Sequence, residues 1–334
     1  MPGKTSCLGA FRNYSLYSYI LIIFIISCAE PGEKEKAEEL PGRIQPSIST
    51  PDFNADSAYF FIEKQVEFGP RVIGTKAHDS CAEYLINKLR SYNLNVIVQK
   101  GEVTAYNGTI FNIKNIIARF NLQTNNRILL CAHWDTRPYA DQDMVKRNEP
   151  FDGANDGGSG VGVLLEIARQ ISRTNSCIGV DIIFFDAEDY GDSKVNNSFC
   201  LGSQYWAKNQ PIPNYYPKYG ILLDMVGSES ATFSMEGYSR KFAFSVVKKI
   251  WDTAAKLGYS DYFIYKKTGS MTDDHYYINT MANIPCVNIL HHDPSTRTGF
   301  GTYWHTHDDN MEIIDKSTLK AVGQTLLEIV YKEK

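Results

Sequence analysis

Ile128-Leu129-Leu130-Cys131-Ala132-His133-Trp134-Asp135 is a short apolar run that ends abruptly in an imidazole and a carboxylate. A run of this length, bounded by polar residues, is too short for a helix and fits a strand buried on both faces. Three more runs share the grammar. Ile182-Ile183-Phe184-Phe185 leads into Asp186-Ala187-Glu188-Asp189, Ile221-Leu222-Leu223 into Asp224, and Cys286-Val287-Asn288-Ile289-Leu290 into His291-His292-Asp293. Between them, apolar residues recur at helical spacing over Val161 to Ile171, Phe242 to Ala255 and Leu319 to Val330. Buried strands alternating with helices predict an α/β domain, a three-layer α/β/α sandwich around a central mixed, mostly parallel twisted sheet. In such sheets ligands bind at the carboxyl ends of the strands. Runs that all deliver acids or histidines at that end therefore aim at one site.

Upstream, two helical patterns, Ala58 to Phe68 and His78 to Tyr92, are separated by the breaker Phe68-Gly69-Pro70-Arg71. From Val96 to Phe120 the pattern alternates as in strands, with Asn107-Gly108 as a hairpin signal, so an antiparallel edge is expected. No internal repeat or second domain is visible, and residues 51–334 read as one catalytic domain. Residues 1–27 read as a signal peptide, because Lys4 and Arg12 precede an apolar stretch, Leu16 to Ile26, shorter than the roughly 20 residues of a membrane span. Ser27 before Cys28 resembles the bacterial lipobox, which makes Cys28 the site of lipid attachment. The charged, Pro-containing segment 28–50 is then a flexible tether. The expected location is the bacterial cell envelope, facing the periplasm, with the lipid anchor as the sole membrane contact.

The chain has 334 residues, and 43% hydrophobic with 22% charged content supports a substantial core. A net charge of -4 without any basic run argues against nucleic acid as a partner and leaves a small molecule or peptide. If Cys7 is removed and Cys28 lipidated, Cys81, Cys131, Cys177, Cys200 and Cys286 remain, an odd set without metal-site spacing. At least one thiol stays unpaired. Apolar neighbours make Cys131 and Cys286 buried, inert thiols.

Gly153-Ala154-Asn155-Asp156-Gly157-Gly158-Ser159-Gly160 opens a helix but is no phosphate cradle. It lacks the spacing and lysine of a P-loop, and a carboxylate at its centre would repel phosphate. The glycines instead let the backbone bend so that Asp156 projects as a metal ligand; the plainer role is a helix N-cap. Glu188 and Asp189 are adjacent after a strand, so one carboxylate is suited to a metal and the other to moving a proton. Trp304-His305-Thr306-His307 supplies imidazole, with His307 competing with His305 for the ligand role. Asp156, Asp189 and His305 together make the three-ligand site with an open position expected of catalytic zinc. His78, His291 and His292 are read as structural or surface residues.

His133-Trp134-Asp135, Ala154-Asn155-Asp156-Gly157, Phe185-Asp186-Ala187-Glu188-Asp189, Leu223-Asp224 and Trp304-His305-Thr306 occur in the order found in the co-catalytic zinc aminopeptidases, which the chain resembles from about Phe60 onward. That resemblance implies one zinc held by His133, Asp156 and Asp224, a second by Asp156, Asp189 and His305, and Glu188 as general base. Asp273-Asp274-His275 and the stretch Phe300 to Trp304 look more like the glutaminyl cyclases of the same fold, which keep only the second zinc. By that resemblance Glu188 and Asp273 are catalytic, Asp224 supports Asp273, and Phe300 and Trp304 wall the substrate pocket. The implied reaction closes an N-terminal glutamine to pyroglutamate, releasing ammonia, on peptides or proteins that begin with glutamine. Departures are visible as well. Tyr190-Gly191-Asp192-Ser193-Lys194 lacks the tryptophan that animal cyclases carry there, Val161 stands where a disulfide partner of Cys131 would be, and position 189 is Asp rather than Glu. The loop from His291 to Thr302 also differs, which suggests a bacterial branch of the family.

Two alternatives stand beside the one-zinc cyclase. A dinuclear zinc aminopeptidase would use both metal sites, and a non-catalytic binding lipoprotein would be expected to have lost Glu188 or a ligand. The anchor is tested directly. Cys28→Ser should abolish lipidation, so that the protein leaves the membrane fraction or accumulates unprocessed. Fractionation showing normal processing and unchanged membrane association would refute the lipobox reading.

Overall fold

The structure, a computed structural model, describes residues 49–334 except 175 and 177. The expected signal segment, Cys28, nearly all of the tether and Cys177 lie outside the described residues.

The domain begins with α1 (Ala55–Val66), capped by Asn54, whose side chain accepts the Ser57 N–H, and α2 (Lys76–Ser91), capped in the same way by Thr75. Strands β1 (Asn95–Thr104) and β2 (Ile110–Phe120) form the antiparallel hairpin signalled by Asn107-Gly108. Then follow β3 (Arg127–His133), α3 (Gly158–Arg173), β4 (Gly179–Phe185), α4 (Leu201–Lys208) and β5 (Gly220–Asp224). The last third holds β6 (Phe233–Met235), α5 (Gly237–Phe242), α6 (Phe244–Lys256), β7 (Phe263–Lys267), α7 (Asp274–Thr280), β8 (Cys286–Leu290) and α8 (Lys316–Lys332).

Six strands form one sheet in the order β1-β2-β4-β3-β5-β8. The β4-β3-β5-β8 portion is parallel, and the β1–β2 hairpin joins it antiparallel through β4. The expected mixed, mostly parallel sheet is thus present, with helices on both faces. Ile128, Leu130 and Ala132 of β3 pack into a core with α1, α2, α3, α6 and α8. Leu129 and Cys131, on the opposite face, meet Trp206 of α4 and Ile278 of α7. The alternation follows from the two-residue period of a strand, and it explains why β3 is buried along its whole length.

Several features escape the sequence pattern. The helix expected over Phe242 to Ala255 is α6, but the short α5 that precedes it, set off by Ala243 with φ -139° and ψ 39°, has no counterpart in the pattern. Helices α4 and α7 and the small parallel β6–β7 sheet are too short to impose a period. Among the described residues no helix is long and apolar enough to cross a membrane. Cys81, Cys131, Cys200 and Cys286 are all buried, unpaired thiols.

Helix α3 approaches the strand ends at glycine. A Cβ on Gly160 would lie 2.5 Å from the Leu223 carbonyl oxygen and 2.9 Å from Ala132 Cβ, so no side chain fits between helix and sheet. Gly160→Ala should push α3 away from β3 and β5 and cost about 1–3 kcal/mol, as overpacking does. A lowered midpoint in urea denaturation, with unchanged slope, is the expected reading.

Candidate metal and catalytic site

The four parallel strands end on one side of the sheet, and three of them deliver polar groups into a common pocket. β3 ends in His133, whose Nε2 lies 3.1 Å from Asp156 Oδ1 and 3.2 Å from Asp224 Oδ1 at the end of β5. Asp156 sits in the loop before α3. Gly157, not Asp156, occupies the N-cap position, in a left-handed conformation (φ 80°) that a side chain would strain. The Asp156 carboxylate is thereby left to face the site. Its loop is held by Asp309, which accepts the N–H groups of Asn155 and Asp156 at 2.7 and 3.0 Å. Arg71, fully buried, ties the same loop to β3 by donating to the carbonyls of Trp134, Asp152 and Gly153.

β4 ends in Asp186-Ala187-Glu188-Asp189. Ala187 is left-handed (φ 54°), and the turn sends the next two carboxylates in different directions. Asp135, completely buried, accepts both following N–H groups, Glu188 at 3.0 Å and Asp189 at 3.2 Å. Asp189 then faces Asp156 and His305, whose Nε2 lies 3.5 Å from an oxygen of each. The Glu188 carboxylate instead receives the Cys200 thiol at 3.2 Å. His307 turns away to Asp143 (2.9 Å).

Among the described residues three sets of donor atoms are close enough to hold a cation, His133 with Asp156 and Asp224, Asp156 with Asp189 and His305, and Glu188 with Cys200 and Asp273, each set within 4.8 Å. The second set fits a metal on its own chemistry. Asp189 Oδ2 is buried without a hydrogen-bond partner, and two carboxylates with one imidazole match the donors preferred by zinc. Burial, opposed by His305 and reinforced by Asp156, pushes the Asp189 carboxyl up to about 7. Such a group wants a cation. Burial likewise carries Asp224 up to about 7, though the His133 hydrogen bond opposes it. Burial alone would lower the His133 imidazole, but the surrounding carboxylates of Asp135, Asp156 and Asp224 outweigh it and hold the ring above the usual imidazole range.

Beside these groups lies a cavity of about 290 Å³. Glu188 and Asp273 face each other across it, with oxygens within 4.8 Å of one another and of Cys200 Sγ. Asp273 caps α7, accepting the Asp274 N–H, and its other oxygen accepts from Asn288 Nδ2 at 2.6 Å. Burial raises the Glu188 carboxyl well above its ordinary range, and Asp189 and Asp273 add to the effect. Phe300 and Trp304 line the pocket, 4.7 Å apart between ring centres, and Trp304 stacks on His305 at 3.7 Å. Phe199 lines it too, near the stretch that lacks the tryptophan. The fourth strand, β8, contributes only Leu290 to the wall; His291 turns to the Tyr303 hydroxyl at 2.7 Å.

The model of peptidase family M28 matches residues 115–330. The chain belongs to peptidase family M28. Among solved M28-like structures, Tannerella forsythia glutaminyl cyclase is 52% identical, with a TM-score of 0.84 over 85% of this chain and 100% of that one. A Zn-dependent exopeptidase from Parabacteroides distasonis has the same identity, TM-score and coverage. The Drosophila melanogaster glutaminyl-peptide cyclotransferase is 24% identical over 270 residues, 75% of this chain and 73% of that protein.

Sequence reasoning gave no role to Arg71, Asp135, Arg137, Asp141, Cys200 or Asp309, which surround the M28 site. Asp135 had a faint signal in its place directly after a strand; the rest come from loops or distant segments and carry none. The adjacent acids make a sharp test of the site. Asp189→Ala should lose the bound metal, whereas Glu188→Gln should retain it, as measured by elemental analysis of the purified variants. A metal-free Glu188→Gln protein would reverse the two assignments.

Proposed function

We propose that this M28 chain is a zinc-dependent glutaminyl-peptide cyclotransferase acting on peptides or proteins that begin with glutamine. The observation that carries the reading is the facing pair of Glu188 and Asp273 in the cavity beside Asp156, Asp189 and His305. Hydrolysis by an activated water asks for one base. Cyclisation asks for a proton to be taken from the α-amine and returned to the departing nitrogen, while the folded-back glutamine is held. The glutaminyl cyclases among the solved and curated relatives support the same choice.

In this mechanism the α-amine nitrogen attacks the side-chain amide carbon, the new C–N bond closes the ring, and the old C–N bond breaks to free ammonia. Glu188 accepts the amine proton and passes it to the leaving nitrogen. Its raised affinity for protons suits both halves of that task, so kcat/KM should fall as pH drops through a value above the ordinary carboxylate range. Asp273, fixed by Asn288 and the start of α7, holds the amine and the tetrahedral species through hydrogen bonds. Phe300 and Trp304 keep the glutamine side chain folded, and Asp224 supports Asp273 from the end of β5. Zinc held by Asp156, Asp189 and His305 would supply polarisation of the amide oxygen.

The dinuclear aminopeptidase reading remains tied to one observation, the intact His133, Asp156 and Asp224 set. We assign a single zinc, with His133 occupied by hydrogen bonds to its two carboxylate neighbours, because an amine coordinated by a second metal has no lone pair with which to attack. A binding lipoprotein is disfavoured by the presence of Glu188 and every ligand. Export, with a lipid anchor on Cys28 facing the periplasm, completes the proposal and rests on the sequence before residue 49.

The deciding experiment measures metal and products together. The purified protein should carry one zinc per chain under limiting metal and release ammonia from a glutaminyl peptide, and Glu188→Gln should lower that rate at least about a hundredfold. Two tightly bound zincs, leucine released from leucyl amide and no ammonia would establish the aminopeptidase instead.

A further inference from the structure

Between β3 and α3 the chain makes a long excursion from Arg137 to Phe151. Arg137 is buried, and its Nη1 donates to the carbonyls of Asp189 at 3.0 Å and Gly191 at 3.2 Å, 3.5 Å from Asp189 Oδ1. Its Nε and Nη2 both donate to Asp141 Oδ2, at 3.2 and 2.7 Å. The other oxygen of the same carboxylate, Oδ1, lies 3.0 Å from His305 Nδ1. One ion pair thus touches two of the three residues that face the cation position, and those two lie more than a hundred positions apart in the sequence. A carboxylate can only accept at Nδ1, so it fixes the proton there and leaves Nε2 bare toward Asp156 and Asp189.

We infer that Arg137 and Asp141 form a positioning clamp that holds Asp189 and His305 in register and so sets how tightly the metal is bound. The inference rests on the metal-site reading above, not on the identity of the substrate. His305 needs such a hold. Its backbone is left-handed (φ 54°), a conformation a non-glycine residue keeps only when its surroundings impose it. Gln142 N–H grips its carbonyl at 3.1 Å, and Trp304 stacks on its ring at 3.7 Å. Of these contacts, only that of Asp141 addresses the ring nitrogen opposite the cation.

The neighbouring Asp143 provides an internal control. It grips the same C-terminal segment, accepting from His307 N at 3.2 Å with its carboxylate 2.9 Å from His307 Nδ1, but touches no ligand. A general loop tether would make Asp141 and Asp143 equivalent; a clamp makes them different.

The test is zinc affinity of the full-length protein by competition with a chelator, with near-ultraviolet and far-ultraviolet circular dichroism on each zinc-loaded variant. Asp141→Ala should weaken zinc by about 10–100-fold, the range for loss of an outer partner of a ligand histidine. Asp141→Asn should recover part of that loss, since its amide oxygen still accepts from Nδ1, and Asp143→Ala should stay within about threefold of the parent. Arg137→Gln approaches the clamp from its other end and should also weaken zinc, so the inference stays testable if Asp141→Ala does not fold. Folded Asp141 and Arg137 variants that bind zinc as tightly as the parent, or an Asp143→Ala as weak as Asp141→Ala, would overturn the clamp alone. A parent that binds no zinc would overturn the metal reading and the clamp with it.

Discussion

Carboxylates crowded at the ends of parallel strands set the terms for everything around them. Asp156, Glu188, Asp189, Asp224 and Asp273 all line one small cavity, where each charge raises the cost of the next. In water such groups would separate. Here the sheet holds them, and burial, with the neighbouring carboxylates adding to it, carries Asp189 and Asp224 up to about 7. A divalent cation relieves that repulsion directly, which is why the metal and the fold are best considered together. A fold that collects so many acids is built to be completed by positive charge.

Holding the acids in place falls to a set of buried polar groups that never touch the cavity. Asp135 fixes the N–H groups of Glu188 and Asp189, Asp309 those of Asn155 and Asp156, and Arg71 the carbonyls on either side of the glycine-rich loop. Each is nearly or fully inaccessible, so its hydrogen bonds face no competition from water. They also sustain local strain. Ala187, Met225 and His305 adopt left-handed conformations at the points where their segments turn into the pocket. Strain of this kind, about 1–3 kcal/mol at each such residue, persists only where neighbours overdetermine the backbone.

One scaffold serves both cyclases and exopeptidases among its relatives, so fold alone does not choose the reaction. The choice lies in what surrounds the shared Asp156, Asp189 and His305 arrangement. Asp273 at the start of α7 and the aromatic pair Phe300 and Trp304 line the cavity beside it, and the cyclase proposal rests on them. His133 and Asp224 carry the opposite possibility. Their distances to one another and to Asp156 suit hydrogen bonds as well as ligation, and the single-zinc proposal takes the former because an attacking amine needs a free lone pair.

The amino-acid sequence by itself determined the strands, the parallel core of the sheet and the end at which the chemistry gathers, because a buried strand shows as a short apolar run and its last residues are polar only where a site needs them. It also singled out Asp156, Glu188, Asp189, Asp224, Asp273 and His305, each beside a strand end, a glycine-rich bend or a motif shared with relatives. Only the tertiary structure shows how the two adjacent acids part after the left-handed turn at Ala187, Asp189 toward Asp156 and His305 and Glu188 toward Cys200 and Asp273. It alone turned His307 away to Asp143 and brought Arg137 and Asp141 against Asp189 and His305. Contacts between residues 52 to 164 positions apart leave no period in the chain; they arise when loops of irregular length are folded over the strand ends, and their partners are chosen by distance and charge in three dimensions.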